Sequence, residues 1–226
     1  MESDFKEFPK GVAPTDFWKQ VKRTVGGQPV SEEQIALIVS VIKQALMLEN
    51  DVLLDLACGN GALSSYLYDD CVEFVGVDFS EVLIDVARQH FQRPQAGFLL
   101  ADVGKYIVAE AKPARFTKVL CYGSFAYFTE SDARLVLTSL HDQFVNVSKV
   151  FIGNLPDLDR QADFFTDGLD HTSELKDPES KIGTWRTEAE FCELAADCGW
   201  SAQIQRMPEQ FYAAHYRYDA LLTRQA

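Results

Sequence analysis

Short apolar runs alternate with helix-like patterns along most of this chain. Five runs are typical of buried strands and occupy residues 52–56, 72–77, 97–100, 116–122 and 147–153. Amphipathic stretches lie between them, at 62–68, 81–90 and from Ser131, which we expect to cap its helix. Because strands that alternate with helices build parallel sheets, the pattern predicts an α/β fold with a doubly wound, mostly parallel sheet.

The remaining segments add elements at both ends. A short aromatic helix is expected over 15–25, and Ser31 with Gln34 forms a capping box for a helix that runs to Leu48. Residues 158–184 lose periodicity and are acidic, which is unusual for a loop without a function. We expect a short helix near 161–165 and a hairpin there. A second capping box, Thr187 with Glu190, opens another helix, and residues 200–206 and 211–222 read as two closing strands.

These elements predict one domain over residues 1–226. The aromatic helix either packs on the domain edge or closes over a ligand, so about 15–30 is a candidate N-terminal helical lid. The acidic stretch at about 158–184 is a candidate insertion or second lid.

Acidic residues lie at or next to the ends of the first two predicted strands. Asp55 lies in the first strand, and Ala57, Gly59 and Gly61 then allow a sharp turn with close ligand approach. Asp78 ends the second strand, 19 residues after Gly59, where dinucleotide-binding folds place the acid that accepts ribose hydroxyls. This arrangement predicts a nucleoside-bearing cofactor.

At these residues the chain resembles the class I methyltransferases that use S-adenosylmethionine. Residues 55–61 (DLACGNG), 75–80 (VGVDFS) and 99–103 (LLADV) resemble the first three motifs of that family in order, with Ala57 where many members have glycine. The resemblance covers roughly residues 31–155 well. It implies a Rossmann-like sheet of seven strands that ends in an antiparallel hairpin, and S-adenosyl-L-methionine as cofactor.

The resemblance also implies roles for individual residues. Asp55 would orient the loop and the cofactor's amino group, Gly59 and Gly61 would pass under its methionine moiety, and Asp78 would hold the ribose. Asp102 with Val103 would hold the adenine. The full predicted cofactor site is Asp55, Ala57, Cys58, Gly59, Asn60, Gly61, Asp78, Phe79, Ser80, Ala101, Asp102, Val103 and Cys121.

Three alternatives remain open from the sequence. Asp78 and Asp102 are both also suited to cap helices. A nicotinamide-binding domain fits the spacing to Asp78, but Ser64 stands where that fingerprint needs a glycine or alanine. A chain that binds the cofactor without catalysis is the third alternative.

Charge and composition limit the classes of molecule that can be the methyl acceptor. The net charge is −13, which opposes binding to nucleic acids and anionic membranes. The five cysteines lack paired spacing, and we expect neither a disulfide framework nor a metal site. The first residues do not read as a secretory signal. We therefore expect a cytoplasmic enzyme that methylates an oxygen or nitrogen of a small-molecule acceptor. Sugars and secondary metabolites are candidate acceptors. The oligomeric state stays open.

Several residues are candidates for binding or activating that acceptor. Aromatic and polar side chains at the ends of the fourth and fifth strands, together with Arg23 of the N-terminal candidate lid and Trp185 just after the acidic segment, give the substrate-binding set Arg23, Tyr122, Tyr127, Asn154 and Trp185. A hydroxyl acceptor needs a base, whereas an unprotonated amine does not. Among the four histidines, His171 in the acidic segment is the candidate base.

Overall fold

The computed structural model describes residues 5–225, so residues 1–4 and 226 of the predicted domain lie outside the described part. A sheet of seven strands has the order β5-β4-β3-β6-β7-β9-β8, and a separate two-stranded hairpin precedes it. In chain order the strands are β1 (Thr24–Val25), β2 (Gln28–Pro29), β3 (Asp51–Leu56), β4 (Cys71–Asp78), β5 (Ala96–Leu100), β6 (Lys118–Tyr122), β7 (Lys149–Pro156), β8 (Trp200–Gln205) and β9 (Arg217–Arg224).

The strand directions match the predicted fold class. Strands β3 to β7 pair in parallel, whereas β9 runs antiparallel to both β7 and β8. The doubly wound Rossmann-like sheet with an antiparallel end is therefore confirmed. Because the parallel strands share one direction, their carboxyl ends meet at one edge, where this class of sheet binds ligands.

Helices cover both faces of the sheet. They are α1 (Phe17–Gln20), α2 (Glu32–Leu46), α3 (Glu81–His90), α4 (Val103–Ala109), α5 (Glu130–Asp142), α6 (Gln161–Phe164) and α7 (Glu188–Asp197). Within residues 5–225, none of them is both long enough and apolar enough to cross a bilayer.

The core lies in two clusters, one on each face. Leu53 and Leu54 are fully buried neighbours in β3, and they belong to different clusters because successive strand residues point to opposite faces. Ile42 of α2 packs in the cluster of Leu53, and Leu137 of α5 in the cluster of Leu54. Burial on both faces is the reason that β3 reads as a continuous apolar run.

Two predicted helices differ in the structure. The segment after the glycine turn forms a 3-10 helix over Ser64–Asp70 instead of an α-helix over 62–68. The N-terminal helix spans only Phe17–Gln20, with Asp16 accepting a hydrogen bond from Lys19 N. It ends at Gln20 because Lys22 has a positive φ of 53°, which a helix cannot continue through, and strand β1 begins at Thr24.

Two predicted caps are also wrong. Ser31 precedes α2 but makes no side-chain capping bond, since Gln34 instead bonds to backbone atoms of residues 210 and 212. The cap of α5 is Thr129, whose hydroxyl accepts from Asp132 N, and not Ser131. The capping box at the start of α7 is confirmed.

The C-terminal third departs most from the prediction. The short helix near 161–165 is present as α6, but the described residues 158–184 contain turns and two 3-10 helices in place of a hairpin. Strand β9 begins at Arg217, because residues 211–216 form turns that bury Phe211 and Ala213.

Candidate cofactor and acceptor site

The carboxyl end of β4 meets the loop that follows β3. Asp78 accepts a hydrogen bond from Gly59 N at 2.9 Å on Oδ2 and from Ser80 N at 2.9 Å on Oδ1. Burial raises the pKa of this carboxyl, and three backbone N–H groups oppose the rise. Each carboxylate oxygen has two lone pairs, so Asp78 keeps acceptor capacity for ribose hydroxyls.

The loop itself is left-handed at three positions. Ala57, Gly59 and Gly61 have φ of 56°, 60° and 75°. This region is open to glycine but costs an alanine about 1 kcal/mol or more, so Ala57 is strained. A Cβ at Gly59 would lie 2.9 Å from Val21, and one at Gly61 would lie 2.6 Å from Phe98. Close packing therefore requires both glycines even without a ligand.

Asp55 is the second acid of the site. It is buried, and the Ser64 hydroxyl donates a hydrogen bond to its Oδ2. Burial raises the pKa of Asp55 to about 7; the nearby charge of Asp78 adds to the rise, and that of Arg23 opposes it. A cationic ligand group beside this carboxyl would favour its ionised form.

The N-terminal segment lies directly on the glycine loop. Asn60 Nδ2 donates to Phe17 O at 2.8 Å and to Gln20 Oε1 at 2.8 Å, and Gln20 is 2% exposed. Val21 packs against Gly59. These contacts put residues 17–21 where they shield the loop from water.

The far side of the loop offers a partly apolar surface. Phe79 and Ala101 are partly exposed, and Leu100 is 47% exposed at the end of β5. Asp102 caps α4 by accepting from Lys105 N at 3.0 Å, and Val103 is buried in that helix. Ser80 precedes α3 but makes no side-chain capping bond.

The ends of β6 and β7 bring predicted acceptor residues together. The Arg23 guanidinium lies 5.4 Å from the Tyr122 ring centroid, and a Cβ at Gly123 would lie 4.0 Å from Arg23 Nη2 and 3.6 Å from Asn154 Nδ2. Ser124 Oγ donates to Ala57 O at 3.4 Å, which joins this group to the cofactor loop. Tyr127 donates to Lys181 O at 3.0 Å.

Three predicted site residues lie apart from this arrangement. Trp185 is fully buried among aromatic rings, and Cys121 is enclosed in the core, so only its backbone remains for a cofactor contact. His171 stacks on Phe165, and its ring nitrogens bond to Glu174 at 2.8 Å and Asp167 at 2.9 Å. These bonds raise the pKa of His171 and favour a charged ring, which cannot accept a proton. This geometry gives no support to His171 as a base.

Cys58 fills space beneath the loop. Its Sγ lies 2.8 Å from the position that a Cβ of Gly76 would take, and burial raises its pKa well above the usual range. It is therefore a packed thiol and not a reactive thiolate.

Sequence reasoning missed three residues of the site. Ser64, which donates a hydrogen bond to Asp55, enters the sequence argument only as the residue that stands where a nicotinamide-binding fingerprint needs a glycine or alanine. Arg217 and Asp219 flank Tyr218 in β9, so strand alternation places both on the face opposite to Tyr218. The signal for this pair is two charges at a spacing of two in a strand that is otherwise apolar.

The fold and the strand-end acids define a Rossmann-like domain built to bind an adenosine-bearing ligand. A family model described as "Methyltransferase domain" matches residues 53–144 of the chain. The matched domain is a methyltransferase domain, and the fold is that of solved S-adenosylmethionine-dependent methyltransferases, which carry bound S-adenosylmethionine or S-adenosylhomocysteine.

Similar proteins include methyltransferases with different acceptors. The chain is 33% identical to an uncharacterised methyltransferase of Schizosaccharomyces pombe over 78 residues, and 43% identical to a ubiquinone biosynthesis O-methyltransferase of Coxiella burnetii over 54 residues. These matches cover 34% and 24% of this chain. They span only 28% and 23% of the two relatives' lengths.

A solved structure matches over nearly the whole length. Magnesium protoporphyrin IX methyltransferase from Synechocystis PCC 6803, with bound S-adenosylhomocysteine, has a TM-score of 0.66 at 17% identity. The match covers 98% of this chain and 97% of that one. At this identity the likeness establishes the fold.

Proposed function

We propose that this chain transfers a methyl group from S-adenosylmethionine to an oxygen or nitrogen of a small-molecule acceptor. The observation that carries the proposal is the convergence of Asp55 and Asp78 on one glycine loop, with Asp78 bonded to Gly59 N at 2.9 Å. The backbone amides, the left-handed loop and two acids suit a ligand with ribose hydroxyls and an ammonium group.

The residues present fit this cofactor. Asp78 would hold the ribose, Asp55 would face the ammonium group, and Phe79 with Leu100 and Ala101 would contact the adenine. When bound, the cofactor supplies a methyl group on a positively charged sulfur. The chain's own contribution is to hold the acceptor in line and to exclude water, which residues 17–21 favour by covering the loop.

Several features support a small acceptor. The charge of −13 disfavours nucleic acid and anionic membranes. Two of the similar proteins are named a ubiquinone biosynthesis O-methyltransferase and a magnesium protoporphyrin IX methyltransferase. We extend the proposal to a cytoplasmic setting, with residues 15–30 and 158–184 acting as covers over the cofactor and the acceptor.

Calorimetry with S-adenosylhomocysteine and with NAD tests the cofactor assignment. We expect saturable binding of the first ligand and none of the second; the reverse result would overturn the proposal. Labelled S-adenosylmethionine incubated with a panel of small metabolites then tests transfer. Binding of S-adenosylhomocysteine without transfer to any metabolite or to components of a cell extract would indicate a non-catalytic binding protein.

A further inference from the structure

Three buried oxygens at the ends of β6 and β7 and the start of β9 lack hydrogen-bond partners among residues 5–225. They are Tyr122 Oη, Asn154 Oδ1 and Asp219 Oδ2. Buried polar atoms in folded proteins are nearly always paired, so this group calls for an explanation. The amide oxygen and the carboxylate oxygen can only accept, which means that a complementary ligand must donate hydrogen bonds.

The backbone holds these oxygens in one place. Asn154 N donates to Asp219 Oδ1 at 2.7 Å, and Asn154 has φ of 65°, in the left-handed region that asparagine adopts more readily than most other non-glycine residues. The Tyr122 ring lies so close to Gly153 that any Cβ there would overlap it. Strain and tight packing at the end of a central strand are typical of functional positions.

A cation completes the group. Arg217 Nη1 donates to Asn154 O, and its guanidinium lies 4.8 Å from the Tyr216 ring centroid. Among residues 5–225, it has no carboxylate within ion-pair distance, unlike Arg206, which pairs with two. Its charge also acts on Tyr127 and Tyr212, so tyrosines surround it.

We propose that Tyr122, Asn154, Arg217 and Asp219 form the acceptor subsite for a hydroxylated ring that carries a carboxylate or phosphate. The ring hydroxyls would donate to Asn154 Oδ1 and Asp219 Oδ2, the tyrosine faces would contact the ring, and Arg217 would pair with the anion. An acidic sugar has this combination of groups. The inference rests on the proposed function, because Ser124 and Gly123 place the subsite beside the cofactor loop.

Probes that differ in one group test the two halves of the subsite. With S-adenosylhomocysteine at saturation, ligand-observed NMR titrations compare glucuronate and glucose 6-phosphate with neutral glucose. We expect at least one charged sugar to bind about ten-fold more tightly than glucose, since hydrogen bonds to charged groups are the strong ones. Comparing the two charged probes distinguishes a carboxylate from a phosphate.

Variants assign the discrimination to named groups. Arg217→Gln should remove the preference for the charged sugar, whereas Arg160→Gln, which removes an exposed charge near the same strand end, should retain it. Asp219→Asn keeps an oxygen for Asn154 N and should weaken the charged and the neutral sugar alike, by about ten-fold. Tyr122→Phe should weaken sugar binding without loss of thermal stability, because its hydroxyl has no protein partner.

The outcomes separate this inference from the assignment of the cofactor. If S-adenosylhomocysteine binds but the wild type shows no binding of either charged sugar, or no preference for them over glucose, the acceptor subsite is wrong and the methyltransferase assignment is untouched. A preference that survives Arg217→Gln would also overturn it. Loss of S-adenosylhomocysteine binding by the wild type would instead count against the proposed function itself.

Discussion

Asp78 joins two backbone segments that come from different strands, since its two oxygens accept from Gly59 N and Ser80 N. From the sequence, ribose binding and helix capping are alternatives for this residue. The structure makes it a brace between the glycine loop and the start of α3, and each oxygen still has a lone pair for a ribose hydroxyl. A mutation here therefore acts on binding and on stability together.

Asp78→Ala should weaken S-adenosylhomocysteine binding at least ten-fold or so, because charge-assisted hydrogen bonds contribute about 1.5–3 kcal/mol each. It should also lower the free energy of unfolding by about 1–3 kcal/mol, since two buried N–H groups lose their acceptor. Calorimetry and thermal unfolding measure the two effects. Asp85→Ala, on the exposed side of α3, is the matched control and should change neither. Unaltered affinity in Asp78→Ala would remove the ribose role.

Asp55 should make stability depend on pH. Its pKa is about 7 in the folded protein and about 3.9 when unfolded, so between these values the folded state holds a proton that the unfolded state has released. The contribution of this group to stability is therefore greatest at low pH and falls as pH rises from about 4 to 7.

Asp55→Asn removes this titration and leaves an oxygen for the Ser64 hydroxyl. Relative to wild type, the variant should gain stability between pH 5 and pH 8. Thermal unfolding of both proteins across that range measures the gain. A difference in stability that does not vary with pH would contradict a raised pKa for the buried Asp55 carboxyl.

Among the elements, the N-terminal segment depends on a few contacts with the loop that it covers. Its aromatic spacing predicts a helix over 15–25, but the helix stops after one turn, because Lys22 has a positive φ of 53°. Local propensity also cannot reveal where the segment docks, because it is held by Asn60, which lies 40 residues after Gln20.

Asn60→Ala should therefore free the segment without unfolding the domain. We expect faster tryptic cleavage at Lys19, Lys22 or Arg23, with bound S-adenosylhomocysteine slowing cleavage in wild type more than in the variant. Gel or mass analysis of timed digests measures this. Equal cleavage rates of the two proteins would show that Asn60 does not hold the cover in place.

Residues 158–184 are packed more tightly into the rest of the domain than their acidic sequence indicates. Leu175 is 6% exposed in the core, and its carbonyl accepts from Trp185 N at 2.7 Å. Leu175→Ala should cost about 2–4 kcal/mol of unfolding free energy, as for other buried leucines, while exposed Leu169→Ala should cost little. Chemical denaturation of both variants makes the comparison. Removing the whole segment would thus damage the core, and only its exposed turns can be shortened to test a cover.

For the molecule as a whole, the apolar runs predict the sheet and its parallel order, because each run must be buried on both faces. The strand-end acids Asp55 and Asp78 and the glycine loop follow from the same reading. The roles of Arg217 and Asp219 cannot be predicted in this way. Their contacts with Asn154 depend on the pairing of β9 with β7, and Asn154 and Asp219 lie 65 positions apart in the chain. Chain-distant pairing of this kind leaves little trace in local periodicity.

The net charge acts on the stability of the whole molecule. With 34 acidic and 21 basic side chains the net charge is −13, and like charges repel more in the compact state than in the expanded one. Many ion pairs here are at the surface, where each contributes about 0–1 kcal/mol and loses little when screened. Added salt at pH 8 should therefore raise the unfolding temperature, because the Debye length falls from about 30 Å at 0.01 M to about 8 Å at 0.15 M.

Near the sequence pI of about 4.7 the repulsion disappears, and the same salt addition should leave the unfolding temperature unchanged or lower it. A salt response that is equal at both pH values would show that net repulsion does not limit the stability of this fold.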